Sequence, residues 1–223
     1  NPFFVTRKQA IGACAGDFDN DGLDDIFFAH SYGGHRLFHN LGGLRFKDVT
    51  DELSLTEVFK NHWAVGCSFV DINGDGWLDL IIAGTGDPNL VLINKSGKSF
   101  MEMSESLGLS RKGASVQMAF SDFDRDGDLD GYLVTNRLST LPGPQKGMQV
   151  KAEMGQGKVK VEEQYDEVFT IVPHPEEKYR VVKAGERDLF YRNDNGKFVE
   201  VSASLGIDGT DEGLAASWFD YDR

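Results

Sequence analysis

An acidic loop of one pattern occurs three times: Asp17-Phe-Asp19-Asn-Asp21-Gly22-Leu-Asp-Asp25, Asp71-Ile-Asn73-Gly-Asp75-Gly76-Trp-Leu-Asp79 and Asp122-Phe-Asp124-Arg-Asp126-Gly127-Asp-Leu-Asp130. The first aspartates are 54 and then 51 residues apart, and a fourth copy begins at Asp220-Tyr-Asp222, 98 residues after the third. Similarity at a fixed period of about 50 residues means that one structural unit recurs along the chain. The sequence breaks off at Arg223 inside the fourth copy, so a longer parent protein is expected.

Each loop leads into a continuous apolar segment: Ile26-Phe-Phe-Ala29, Leu80-Ile-Ile-Ala83 and Tyr132-Leu-Val134. Runs this short, rich in β-branched and aromatic residues, read as buried strands. A second apolar segment then ends in Asn, at Leu37-Phe-His-Asn40, Leu90-Val-Leu-Ile-Asn94 and Leu189-Phe-Tyr-Arg-Asn193. A glycine turn follows in each case and reaches a further strand around Phe46, Phe100 or Phe198. Glycine supplies the positive φ of a tight hairpin, so each unit reads as four antiparallel strands with the acidic loop between the first and second. Four strands in about 50 residues is the arithmetic of a propeller blade, and parallel β-helix repeats are shorter. The expected fold is an all-β propeller over residues 1–223, with about four blades represented. A surface excursion is expected at about 138–187, bounded by Leu141-Pro-Gly-Pro144 and Val172-Pro-His-Pro175. Within it, Val159-Lys-Val161 and Glu167–Val172 suggest a small hairpin.

Several carboxylates in nine residues repel one another unless a hard cation neutralises them. In the first loop the side chains of Asp17, Asp19, Asp21 and Asp25 take positions 1, 3, 5 and 9, and the carbonyl of Leu23 takes position 7. The matching groups are Asp71, Asn73, Asp75, Trp77 and Asp79 in the second loop, and Asp122, Asp124, Asp126, Asp128 and Asp130 in the third. Oxygen-only sites select Ca²⁺; zinc would ask for His or Cys, which no loop contains. Three complete calcium sites are therefore expected, with Asp220 and Asp222 as half of a fourth. The second, having Asn73 where the others have Asp, is expected to be the weakest. An EF-hand is excluded because its twelfth position is a Glu, whereas here that position holds Phe28, Ile82 or Leu133.

The formal charge is -13, and the three loops contain 13 Asp against one Arg, so nearly all the excess sits where metal is expected. The stretch 138–187 is neutral, with 8 basic and 8 acidic residues. No basic stripe is available for phosphates, which argues against nucleic acid as a partner. No apolar run reaches the roughly 18–20 residues of a membrane helix, and Asn1-Pro-Phe-Phe is not a signal peptide. Calcium sites of modest affinity stay filled outside the cell, so an extracellular, cell-surface or periplasmic location is expected. Cys14 lies three residues before its loop and Cys67 four before its own, which puts the two side chains on opposite faces of equivalent strands. That parity argues against a disulfide and for two small apolar fillers.

The loops together with Asn40, Asn94 and Asn193 before a glycine turn resemble the FG-GAP repeats of integrin α-subunit propellers and the related VCBS-type repeats, most of all bacterial proteins of the ASPIC/UnbV group. The resemblance covers residues 10–137 and 188–223. It implies a propeller, commonly of seven blades, with Ca²⁺ in the loop joining the first two strands of a blade. Three functions compete. The first is an interaction module, stiffened by calcium, that grips a protein or glycan. The second is a catalytic propeller such as a polysaccharide lyase or lipase-like hydrolase; it lacks support because the chain has no Gly-x-Ser-x-Gly, no His-Glu-x-x-His and no metal spacing among His30, His35, His39, His62 and His174. Catalysis within this chain is not expected. The third is a lectin-like module using Trp63, Trp77 or Trp218, of which Trp218 matches Phe69 and Phe120 and so reads as a blade-core residue.

Overall fold

A computed structural model describes residues 10–30, 33–137, 169–174, 178–183, 185–207 and 213–218. The first blade is the antiparallel sheet β1 (Ala10–Gly16), β2 (Asp25–His30), β3 (Arg36–Asn40) and β4 (Phe46–Asp48), in that order. The second is β5 (Ala64–Val70), β6 (Asp79–Pro88), β7 (Leu90–Asn94) and β8 (Phe100–Glu102). A single helical turn, α1 (Ser104–Leu107), leads to β9 (Lys112–Ser121) and β10 (Asp130–Thr135) of the third blade. After the excursion, β13 (Leu189–Asn193) and β14 (Phe198–Glu200) complete that blade. β13 pairs with β10, Tyr132 opposite Phe190, so the extra residues lie in the connection between the second and third strands of this blade. Backbone pairing of β6 with β9, Thr85 opposite Ala114, fuses the second and third blades into one curled sheet. The molecule is an all-β propeller of four-stranded blades.

The core lies between blades rather than within them. Leu80 and Ile82 join Phe27, Leu37, Leu55 and Phe59 at the first junction, while Ile81 points the other way and joins Val91, Met118, Leu133 and Tyr191 at the second. A strand buried on both faces carries an unbroken apolar run, and this is why Leu80–Ala83 does not alternate. The inner strands approach closely through glycine: a Cβ at Gly12 would collide with the Val65 carbonyl, and one at Gly66 with that of Val116. The second residue of the first two acidic loops plugs a junction, whereas that of the third is about half exposed. Phe18 and Ile72 are buried there, and Phe123 packs 4.9 Å from the ring of Phe190.

Cys14 and Cys67 form a disulfide with their Cα atoms 5.8 Å apart, correcting the expectation that they are unpaired fillers. Their registers, Cys14 opposite Phe27 and Cys67 opposite Ile82, do place them one step out of equivalence, with Ser68 the true counterpart of Cys14. The parity argument holds within one sheet. Between stacked blades it reverses, because a side chain leaving the first blade forwards can only meet one leaving the second backwards.

The excursion contains a hairpin, β11 (Phe169–His174) with β12 (Lys178–Lys183), Phe169 opposite Lys183. Its partner strand is thus Lys178–Lys183, and Val159–Val161 lies outside the described residues. Pro173, read from sequence as punctuation, sits inside β11; a two-stranded ribbon has a free edge on which the missing N–H of proline costs no ladder bond. Trp218 packs edge-on against Tyr132 and Phe190 at 6.4 and 6.1 Å but is 39% exposed, so it lies at the surface rather than in the blade core that its match to Phe69 and Phe120 predicts.

Candidate metal centres in the blade loops

The three loops fold by the same hydrogen bonds. Each position-1 carboxylate accepts two backbone N–H groups of its own loop: Asp17 from Asp21 and Gly22 (3.0 and 2.8 Å), Asp71 from Asp75 and Gly76 (3.1 and 2.7 Å), Asp122 from Asp126 and Gly127 (3.1 and 3.2 Å). The glycine at position 6 makes this wrap possible, with φ of 89°, 85° and 101° at Gly22, Gly76 and Gly127. Each position-5 carboxylate accepts the N–H two residues on: Asp21 from Leu23, Asp75 from Trp77 and Asp126 from Asp128.

Position 9 does something the sequence did not disclose. Asp25, Asp79 and Asp130 are fully buried, and each braces the loop against the third strand of its blade. Asp25 accepts from Phe18 and Asn40 (3.1 and 2.8 Å), Asp79 from Ile72 and Asn94 (3.1 and 2.7 Å), Asp130 from Phe123 and Asn193 (2.9 and 2.9 Å). The repeated Asn completes the brace. Asn40, Asn94 and Asn193 donate to the carbonyls of Asp24, Leu78 and Leu129 and accept from the glycine turn at Gly42, Gly97 and Gly196. Asn94 also donates to the Phe18 carbonyl at 2.7 Å, tying the second blade to the loop of the first.

Carboxylate oxygens converge within 4.8 Å in two groups that fit a cation: Asp17, Asp19 and Asp21 in the first loop, and Asp122, Asp124 and Asp130 in the third. The second loop, with Asn73 in place of an Asp, forms no such acidic triad among the described residues. Asn73 instead turns inward, accepting from the Asp75 N–H and donating to the Asp75 carboxylate. Asp19 Oδ1, in the first loop's group, and Asp128 Oδ1, beside the third loop's, are buried without a hydrogen-bond partner among the described residues. Burial raises Asp19, Asp25 and Asp128 above the ordinary carboxylate range and pushes Asp79 up to about 6, despite the two N–H groups that face it. Asp220 and Asp222 lie outside the described residues.

One member of the first site comes from elsewhere in the blade. His39, on β3, places Nδ1 3.2 Å from both Asp19 and Asp25, so imidazole stands beside a loop that contains none in its own sequence. Aligning the units on their Asn residues gives the signal, since His39 precedes Asn40 as Ile93 precedes Asn94 and Arg192 precedes Asn193. The same strand position thus overhangs each loop. Of the tryptophans, Trp77 is half-buried and reaches the Gly97 turn, where an added Cβ would lie 3.0 Å from its ring.

A propeller whose blades each carry an acidic loop between the first and second strands is the architecture of FG-GAP-like repeats. The FG-GAP-like repeat matches at residues 17–82 and again at 71–133, together more than half of the sequence, and the chain belongs to that family. Each match runs from one acidic loop into the strand that follows the next. Cartilage acidic protein 1 of Xenopus tropicalis is similar, 25% identical over 124 residues that make up 55% of this chain and 19% of that protein. The chain therefore matches about a fifth of that relative's length.

Proposed function

We propose that the chain is a calcium-binding, extracellular or cell-surface interaction module that engages a protein partner, its acidic loops holding structural Ca²⁺. The observation that carries the reading is the convergence of carboxylate oxygens in the first and third loops, with a buried oxygen of Asp19 that has no hydrogen-bond partner among the described residues. Ca²⁺ takes six to eight oxygens in flexible geometry, and these loops offer carboxylates and carbonyls at the positions such coordination uses. The ion would bind through Asp17, Asp19, Asp21, Asp25 and the Leu23 carbonyl, and through the matching groups of the other loops. It would supply neutralisation and stiffness and no bond-making chemistry. The Cys14–Cys67 disulfide supports an oxidising location. No helix among the described residues is long and apolar enough to cross a membrane. The FG-GAP-like repeat match supports a protein as partner, with a glycan as the alternative reading. The resemblance to the ASPIC/UnbV group belongs to the same proposal.

The test is thermal unfolding in EDTA and in excess Ca²⁺. A site at 100 times its Kd adds about 2.7 kcal/mol, so Tm should rise with the logarithm of calcium concentration. Superimposed melts would sink the reading. Calorimetry on a D71N/D75N variant should remove the weakest binding step; loss of the tightest one would overturn the ranking of the loops.

A further inference from the structure

Each blade braces the sixth residue of its second strand with one acceptor placed just before its third strand. In the second blade Asn89 Oδ1 accepts the Gly84 N–H at 3.0 Å, and in the third Asp188 Oδ1 accepts the Thr135 N–H at 2.7 Å. In the first blade the acceptor is an imidazole, His35 Nδ1, which takes the His30 N–H at 2.9 Å. Because Nδ1 accepts, the neutral ring carries its proton on Nε2, and Nε2 lies 3.0 Å from His62 Nδ1. His62 Nδ1 therefore accepts in turn, and its Nε2–H donates to the Pro88 carbonyl at 2.7 Å. The geometry fixes both tautomers, and the chain of bonds runs one way from the first blade into the second. Every ring lone pair is occupied, so a further proton can enter only by displacing an N–H donor.

The chain is buried: His35 has no exposed surface, His62 is 7% exposed, and the rings of Phe27 and Phe59 flank His35 at 5.9 and 5.2 Å. His30 of β2 and Arg36 of β3 oppose a positive charge on His35, while Asp87 of β6 favours one on His62. The pair lies at the far end of β2 from the acidic loop, and the His62 carbonyl also accepts the Gly33 N–H at 2.6 Å.

We propose that His35 and His62 form an acid-released latch between the first and second blades, closed while both rings are neutral and opened when either takes a proton. Burial pushes His35 down to about 3 and lowers His62 as well. The sign follows: with both values in the folded state depressed below the ordinary value of about 6.5, the latch contributes fully above that pH and weakens as pH falls below it. From pH 7.5 to 5.0 the opening equilibrium should rise about 30-fold through His35 alone, and further through His62. The Cys14–Cys67 bond keeps the inner strands tethered, so opening stays local.

Hydrogen exchange of the full 223-residue chain, at pH 7.5 and 5.0 in constant calcium chloride and corrected for intrinsic rates, tests this. Segments 28–38 and 60–66 should lose protection by at least about 30-fold, while 109–114 and 133–136, at the junction of the second and third blades, keep theirs. H35N, which copies Asn89, should lessen the difference, and H35N/H62Q should abolish it. Equal loss at both junctions, or an unchanged difference in H35N/H62Q, would overturn the proposal. Imidazole nitrogen shifts of the unaltered protein decide the matter even if the variants fail to fold. They should show the His35 ring uncharged with its proton on Nε2 at pH 5.0 and the His62 ring titrating below the ordinary value, and either of these two rings titrating at about 6.5 or above in the folded state refutes the latch.

Discussion

Removing the Cys14–Cys67 bond isolates what a covalent tie between blades contributes. The bonded residues are 53 apart in sequence, and closing a loop of that length restricts the unfolded chain by about 4 kcal/mol at 25 °C in the chain-entropy description. The folded state should change little, because the junction keeps its shared apolar core and the close approach of Gly12 to Val65. The chain supplies its own replacements. Ser68 occupies the place of Cys14 one blade on, where its hydroxyl donates to the Met118 carbonyl at 2.8 Å, and Ala13 occupies the place of Cys67 one blade back. C14S/C67A should therefore fold, lose about 3–4 kcal/mol in urea unfolding at fixed calcium, and show a larger m-value as its unfolded chain expands. Reductant should shift the unaltered protein by a similar amount and leave the variant unmoved. Agreement of the two proteins within about 0.5 kcal/mol, well under the loop-closure term, would refute the reasoning.

Asp79→Asn should cost about 2–3 kcal/mol in EDTA, because the amide keeps one acceptor and turns its NH₂ toward the N–H of either Ile72 or Asn94. Asp75→Asn, on the exposed rim of the same loop, should cost less than about 1 kcal/mol under those conditions; equal losses in urea titrations would show that position 9 is no brace. Gly66→Ala drives a Cβ into the Val116 carbonyl and should cost roughly 1–3 kcal/mol, and an unchanged unfolding midpoint would contradict the close packing of inner strands.

Much of this fold is legible in the sequence because the signals are local. The run Leu80–Ala83 announces a strand buried twice, and the Asn-then-glycine step at Asn40, Asn94 and Asn193 announces the third-strand turn, whose bonds the structure supplies. What escapes is everything that depends on how units meet. The disulfide is invisible to a parity rule framed for one sheet. His39 reaches the first loop from a strand two elements further on, so a scan for ligands inside loops passes over it. The hairpin partner Lys178–Lys183 competes with an equally plausible segment upstream, and alternation alone does not choose between them. The His35–His62 chain joins residues 27 apart through a junction, and neither residue carries a local sign of its partner.

The loops share one backbone scaffold yet differ in how their charge is met, and the calcium reading applies to them unequally. Under the first loop stands His39, and near the carboxylates of the third stands the guanidinium of Arg192, which pairs with Asp194 and also feels Asp124 and Asp130. The second loop has Ile93 at that position, buried and without charge. It offers the fewest carboxylates, yet it is the loop whose buried Asp79 is pushed up to about 6 with no cationic side chain at the overhanging position. A side-chain cation lowers the cost of crowding carboxylates but also occupies their oxygens; an apolar neighbour does neither. On the proposed calcium reading, ligand number ranks the second loop last for affinity, while the lack of a polar side chain at the overhanging position ranks it first for dependence on an external cation. On that proposal affinity and structural dependence would be set by different residues, Asn73 for the one and Ile93 for the other.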